Sequence, residues 1–511
     1  MLDPITLEIL WSRLVSIVDE AAAGFVRTSF SSLVRDANDF AVVLTDAEGL
    51  SLAQSSLSIP SFISTLPKTV RHFLDRFPEG ELAPGDVLIT NDPWMGTGHI
   101  HDVSTAMPIY HRGRLVAFSA VVSHMPDIGG PVRTNDNGVI YEEGLQIPRL
   151  KFLRAGEADP AVSAFIATNV RVPDETLGDL WGQVAAHRML EARLATLLDE
   201  SGVGLEALGG EIRRRSEAAL RQAIAAIGDG EYRYVVAHDG FETPLTIDCT
   251  VTVAGDALAV DYAGTSAQVD DKAINVVEAY TFAYSAFALK ALLAPGVPNN
   301  EGSFLPIRVS APPGSVLNAL HPAATAARGQ VGHMLPVAIL GALGQAMPDK
   351  LRAEGSGNTS ITMVGREAGR AFAISNFVNA GQGATARRHG RSALSFPSNL
   401  GNTPIEILEA EAPLLVRHRR LHRGSGGSGR WRGGDGIDFA FEYLGESPAR
   451  CAFLMTRRVV PPRGASGGGD GRPARLRLNG EPVDPLRVRR LAKGDRVDLE
   501  TAGGGGFGDA G

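Results

Sequence analysis

Apolar positions near the start of the chain recur at three-to-four residue spacing, as Ile5, Ile9, Leu10, Leu14, Ile17 and Val18. That spacing predicts an amphipathic helix. Asp3-Pro4 supplies a capping oxygen and a residue suited to the first turn. Between 38 and 54 the period drops to two. Phe40, Val42 and Leu44, a turn at Asp46-Ala47-Glu48-Gly49, then Leu50 and Leu52 predict paired strands. A helix is expected over 66–77, then a short apolar strand over 85–90 that stops at Asn91-Asp92-Pro93 and opens into Gly96-Thr97-Gly98. Segments 104–110 and 115–123 are β-prone and predict a hairpin turning at His111-Arg112-Gly113-Arg114.

Farther along, 175–226 has helical spacing through Leu190, Leu194 and Leu198. Ala254-Gly255-Asp256 predicts a turn between strands at 245–253 and 257–263. Segments 276–293 and 331–346 are apolar around most of their circumference, which predicts buried helices. From about residue 400 glycine and arginine rise and short strands take over, and no fixed period repeats. The expected fold class is α+β with a β-rich C-terminal region. The expected organisation is an N-terminal α+β domain over 1–230, a central α+β domain over 231–400 and a glycine-containing β-rich domain over 401–511.

With 511 residues, 44% hydrophobic and 21% charged, the chain has the composition of a soluble globular protein. Its net charge of −8, without basic runs interleaved with aromatics, argues against a nucleic-acid partner. Two cysteines, Cys249 and Cys451, stand far apart, which excludes a disulfide framework and fits a reducing compartment. No targeting pattern opens the sequence and no apolar run reaches about eighteen residues. A cytoplasmic protein is expected.

The chemistry concentrates in Asn91-Asp92-Pro93-Trp94-Met95-Gly96-Thr97-Gly98-His99-Ile100-His101-Asp102 and in Ser123-His124-Met125-Pro126-Asp127. If 104–123 is a hairpin, its ends meet, and His124 lies beside His101 or Asp102 with His99 one step away. Imidazoles and carboxylates converging at a strand end suit Zn²⁺, Mn²⁺ or Fe²⁺. A one-residue slip exchanges His101 for Asp102, and spacing alone leaves both open. A solvated loop with local hydrogen bonds is the plainer reading. Three of the chain's 12 histidines in this one stretch weigh against it. Asp39, just before a strand, reads by spacing as a turn former or a strand-end ligand. Glu143, before a glycine, reads as a solvated turn residue or an acid–base group, and Asp127 as a partner that orients His124. The glycine-rich stretches at 425–434 and 503–508 lack the Gly-Lys-Ser/Thr ending of a phosphate loop. They read as tight turns and close backbone approaches.

In these strings the chain resembles the hydantoinase B/oxoprolinase family, the second subunit of ATP-dependent hydantoinases and lactamases, and is similar to a large subunit of acetone and acetophenone carboxylases. The resemblance rests on Asp39-Phe40, on Asn91-Asp92-Pro93 through His99 and Asp102, and on His124 with Asp127-Ile128-Gly129-Gly130. It extends over Glu143-Gly144, Ile147-Pro148, Pro298-Asn299-Asn300-Glu301-Gly302, Arg432-Gly433-Gly434-Asp435-Gly436 and Phe507-Gly508-Asp509. It implies a divalent metal held by His99, Asp102, His124 and Asp39, and it sets His101 aside. It also implies a hydantoinase A-type partner that binds ATP and Mg²⁺ and phosphorylates a cyclic amide. On this chain a metal-acidified water would then attack the activated carbon, with Asp127 or Glu143 moving the proton. The rival reading is a subunit of an ATP-dependent ketone carboxylase. The chain departs from the family at Ser58-Ile59-Pro60-Ser61-Phe62, where many members carry histidines.

Overall fold

Asp3 Oδ1 accepts hydrogen bonds from the Ile5 and Thr6 amides at 3.1 and 3.0 Å, and α1 (Pro4–Thr28) runs from that cap. This computed structural model of the protein describes residues 3–510 other than 242. The buried face of α1 carries Leu7, Leu10, Trp11, Leu14, Ile17, Val18, Ala21 and Phe25. Ile5 and Ile9, which the apolar spacing groups with that face, are 73% and 55% exposed. At about 100° per residue they fall opposite Leu7 and Leu14, so the true stripe is set by the later positions.

A short helix, α2 (Ser32–Arg35), leads into β1 (Phe40–Asp46) and β2 (Ser51–Gln54). Then come α3 (Thr65–Arg76), β3 (Val87–Thr90), β4 (Asp102–His111) and β5 (Arg114–His124). With β6 (Leu150–Arg154) and β7 (Glu157–Ala158) they form a seven-stranded sheet in the order β2-β1-β5-β4-β3-β6-β7. Every pairing in it is antiparallel. Both faces are covered, because alternate residues of one strand feed two cores. Phe40, Val42 and Leu44 join α1 in one cluster, whereas Ala41 and Val43 join Leu66, Val70 and Phe73 of α3 in another. Helices α4 (Pro160–Asn169), α5 (Pro173–Ser201) and α6 (Leu205–Ala225) follow. The long helical run expected over 175–226 is thus two helices. Gly202, in the left-handed conformation at φ 64, ends the first of them.

A second core forms around β8 (Gly230–His238), β9 (Leu245–Ala254), β10 (Ala257–Asp261) and β11 (Ile307–Ser310), ordered β11-β10-β9-β8. Helices α7 (Glu278–Leu293), α8 (Gly329–Gly332) and α9 (Met334–Leu343) pack against it. Their all-round hydrophobicity matches the burial seen on most of their residues.

The third core lies between two sheets. One is β12 (Asn358–Glu367) and β13 (Arg370–Asn379), ordered β13-β12-β16-β19 with β16 (Ala449–Leu454) and β19 (Arg489–Leu491). After α10 (Ile405–Glu411) come β14 (Leu414–His422) and β15 (Gly436–Tyr443), and later β17 (Arg475–Leu478), β18 (Glu481–Pro482) and β20 (Arg496–Glu500). These make the second sheet, ordered β14-β15-β20-β17-β18. The β12–β13 hairpin, inside the segment read from sequence as central, hydrogen-bonds to β16 and shares its core with the C-terminal strands. The glycine-rich stretches meet backbone to backbone, as expected of close approaches: Gly427 donates to the Gly504 carbonyl at 2.8 Å and Gly504 to the Gly434 carbonyl at 2.9 Å. A Cβ on Gly433 would stand 1.9 Å from the Gly504 carbonyl oxygen, so only glycine fits there. The architecture is α+β. Among the described residues no helix is long and apolar enough to cross a membrane.

Candidate metal centre

Three strand ends meet at one edge of the N-terminal sheet. The β4–β5 register pairs Asp102 with His124, and the β1–β5 register pairs Phe40 with Ser123. The His124 amide donates to the Asp39 carbonyl at 3.1 Å, which draws the start of β1 to the same place. The register that spacing left open is therefore the one with Asp102 opposite His124. Asn91 fastens the loop that delivers His99. Its Nδ2 donates to the Ile100 and Leu145 carbonyls at 2.7 and 2.9 Å, and its Oδ1 accepts from the Ile147 amide at 2.6 Å. Gly98 takes φ +98, and a Cβ there would press on the Arg328 side chain at 3.0 Å.

Asp102 is the hub. Its Oδ2 accepts from Thr97 Oγ1 at 2.7 Å and from Arg328 Nη2 at 2.6 Å. Arg328 also donates through Nε to the Thr97 carbonyl at 2.9 Å and lies 4.3 Å above the Tyr280 ring. The other oxygen, Oδ1, faces His99 Nε2 at 2.8 Å and His124 Nδ1 at 2.9 Å. One nitrogen from each of those histidines and one Asp102 oxygen lie within 4.8 Å of one another, and all three residues are buried.

The donor set fits a cation on two counts. His99 Nδ1 stands 3.4 Å from the Ala326 carbonyl, a pairing in which the imidazole N–H donates. In that tautomer Nε2 presents its lone pair 2.8 Å from a carboxylate oxygen. Two acceptors held that close repel unless they share a positive charge. Second, burial, with Arg328 nearby, drives the His99 imidazole well below its usual pKa, and burial also lowers His124. Both shifts favour the neutral ring, the form that ligates metals. Burial works against the Asp102 carboxylate, yet the charge of Arg328 and a hydrogen bond from His124 hold it well below the usual range. Mixed nitrogen and oxygen donors of this kind suit Zn²⁺, Mn²⁺ and Fe²⁺ alike.

Asp39 lines the same cavity, of about 70 Å³, but stands outside the three-residue cluster. Burial and the charge of Asp102 push its carboxyl up to about 8. His101 is buried too, stacked on the His124 ring at 5.6 Å and tilted against His99 at 5.0 Å. Its Nδ1 has no partner. Glu143 sits behind the cavity wall, where its Oε1 accepts from the Thr325 and Ala326 amides at 2.6 Å each. Burial pushes it up to about 7, and Oε2 is unpartnered. Asp127 is turned to Arg171, whose Nη1 donates to it at 2.6 Å, and is not among the residues lining the cavity. Arg133, Tyr280, Arg328 and His333 line the cavity and escaped the sequence reading. Arg328 had one visible signal, a lone charge in the small-residue run Ala323-Ala324-Thr325-Ala326-Ala327-Arg328-Gly329. Ser61, from the departing Ser58-Ile59-Pro60-Ser61-Phe62 string, forms part of the same wall.

Fold and site together define a large α+β protein with a buried His–Asp–His cluster able to hold a metal ion at the end of an antiparallel sheet. The chain belongs to the hydantoinase B/oxoprolinase family, whose family model matches residues 3–510. It is 28% identical to the B-type subunit of a putative D-/L-hydantoinase of Pseudomonas sp. (strain NS671), over 99% of this chain and 90% of that one. It superposes on the crystal structure of the ATP-dependent caprolactamase from Pseudomonas jessenii with a TM-score of 0.91 and 28% identity, covering 100% of this chain and 91% of the other. The nucleotide-free structure of an acetone carboxylase matches in fold, with a TM-score of 0.86 at 19% identity over 99% of this chain and 76% of that chain.

Proposed function

We propose that this chain is the metal-dependent, ring-opening subunit of an ATP-dependent cyclic-amide hydrolase of the hydantoinase, oxoprolinase or lactamase type. Its partner is a hydantoinase A-type subunit that binds ATP and Mg²⁺ and phosphorylates the amide oxygen, and both work in the cytoplasm. The observation that carries the reading is the convergence of His99, Asp102 and His124 in one buried cavity. The names of the relatives, a putative hydantoinase and an ATP-dependent caprolactamase, supply the reaction class. The glycine-rich stretches pack on each other and lack a phosphate-loop ending, which supports assigning ATP to another chain.

In this reading His99, Asp102 and His124, with Asp39 as a fourth donor, hold a divalent cation. When bound, it supplies Lewis acidity to an oxygen of water or substrate. Arg328 and Thr97 clamp the Asp102 carboxylate through Oδ2, so that Oδ1 is left to face the two histidines. Arg133 and Arg328, both lining the cavity, offset the charge of a phosphorylated amide. Glu143 holds a proton near neutral pH on the unpartnered Oε2. Asp127, tied to Arg171, braces the loop after His124 and is the weaker candidate for moving a proton.

The test is to purify the chain with its co-purifying partner and assay hydantoins, 5-oxoproline and lactams with ATP, for wild type and His124→Ala. Ring opening that depends on His124 and on bound metal supports the reading. A His124→Ala complex that has lost its metal and keeps full turnover overturns it. Labelled bicarbonate carbon appearing in product would replace hydrolysis with carboxylation of a ketone.

A further inference from the structure

A second site lies away from the metal cavity, in the loop that follows β13. The backbone there is pinned by isolated bridges between Arg352 and Thr385, between Thr385 and Arg388, and between Ala380 and Leu394. The Gln382 amide donates to the Arg391 carbonyl at 3.0 Å. These pairings bring Arg352, Arg388 and Arg391 to one concavity of about 100 Å³, together with Gln382, Thr385 and His389. No carboxylate lines it, and among the described residues none of the three guanidiniums takes part in an ion pair. His389 Nδ1 accepts from the Arg432 amide at 2.9 Å, which leaves Nε2 as that ring's N–H donor.

The cost of the arrangement falls on Arg352, the one of the three that is not exposed. Arg352 is largely buried, its guanidinium 5.6 Å above the Phe396 ring. Burial, and the charges of Arg388 and Arg391 beside it, lower it to about 10. Three positive charges border one concavity without a carboxylate among its lining residues, Arg352 from within and Arg388 and Arg391 from its exposed rim. Guanidinium forks match the oxygens of a tetrahedral oxyanion in pairs, which a point-charge ammonium does not. At about 30 Å³ per water the concavity has room for a phosphoryl group with its first waters. Arg391 and Leu394 also line a cleft of about 660 Å³. Ile59, on the wall of that cleft, lines the metal cavity as well.

We propose that Arg352, Arg388 and Arg391 form a binding site for a phosphate or phosphate-monoester dianion, opening onto the cleft that borders the metal cavity. The site does not depend on the reaction assigned above. The full chain is titrated calorimetrically with inorganic phosphate and with methyl phosphate, as wild type and as Arg388→Gln/Arg391→Gln, whose two positions are exposed. An Arg352→Gln variant and the metal-cavity variant His124→Ala run alongside, each checked for a cooperative unfolding transition. Saturable binding is expected, weakened about tenfold or more in the double variant, reduced by added salt, and retained in His124→Ala. Tighter binding of methyl phosphate marks a phosphorylated small molecule whose remainder lies in the cleft. Tighter binding of inorganic phosphate marks a site for the free ion. No saturable binding of either, or equal affinity in wild type and the folded double variant, overturns the proposal.

Discussion

Arg328 donates to Asp102 at 2.6 Å across 226 positions of sequence, so the central carboxylate of the first core is held by a guanidinium from the second. Both side chains are buried, and the pair is completed by Thr97 and the Tyr280 ring. Removing one partner leaves the other charge uncompensated. Arg328→Met is expected to cost about 3–5 kcal/mol of stability and to lower the amount of metal retained on purification. Thermal unfolding and elemental analysis read both effects. A variant with wild-type stability and metal content would show that Asp102 needs no clamp.

Metal should stabilise the folded chain. A cation shared by His99 Nε2 and Asp102 Oδ1, 2.8 Å apart, would offset their close approach. Titrating Zn²⁺ or Mn²⁺ into chelator-treated protein is expected to raise the unfolding midpoint, with a stabilisation of about 2.7 kcal/mol at a hundredfold excess over Kd that grows with the logarithm of metal concentration. The rise disappears in His99→Ala. A midpoint indifferent to metal contradicts the assignment of this cavity.

His101 and His99 can be told apart. His101 stacks on the cluster without joining it, so His101→Asn keeps bound metal whereas His99→Asn loses most of it. Elemental analysis of the two purified variants decides the matter. Metal loss in His101→Asn would bring that ring into the ligand set.

Glu143 gives stability a pH slope. Burial holds its folded pKa at about 7 against an ordinary value of 4.5. The folded state therefore keeps a proton that the unfolded chain releases. The stabilisation is complete below the unfolded value and is lost as pH rises through the folded one. Stability should fall between about pH 4.5 and 7 by up to about 3 kcal/mol from this group. Glu143→Gln keeps an acceptor for the Thr325 and Ala326 amides and flattens that slope. Denaturant unfolding across the range measures it, and an identical slope in the variant would falsify the assignment.

Two glycines should respond in opposite directions. Gly433→Ala drives a methyl group into the Gly504 carbonyl and is expected to destabilise by about 1–3 kcal/mol. Gly210, exposed inside α6 with nothing within 4 Å of an added Cβ, should gain about 0.5–1 kcal/mol as Ala. Unfolding midpoints of the two variants check both signs.

Local pattern carried much of the fold into view. The hairpin of β4 and β5, the Asp3 cap and the strands of β1 and β2 all follow from short-range periodicity and turn residues. Where two sequence-local features compete, local reading fails: Ile5 and Ile9 look like core and lie on the solvent face of α1. The choice between His101 and Asp102 was one of register, and a period of two cannot supply it. The family resemblance could. Arg133, Tyr280 and Arg328 were beyond reach for another reason. Tyr280 and Arg328 reach the cavity from about two hundred positions away, and Arg133, only nine residues after His124, sits in a loop without a periodic pattern to aim it.

The Arg328–Asp102 clamp also makes one core's site depend on the other core. The β4–β5 hairpin is local and can close by itself, but its carboxylate stays unbraced until the helices that carry Tyr280 and Arg328 have packed and docked. The carboxylate at the centre of the cluster is therefore braced only where the two cores meet, and a change that loosens their docking reaches the site without touching it.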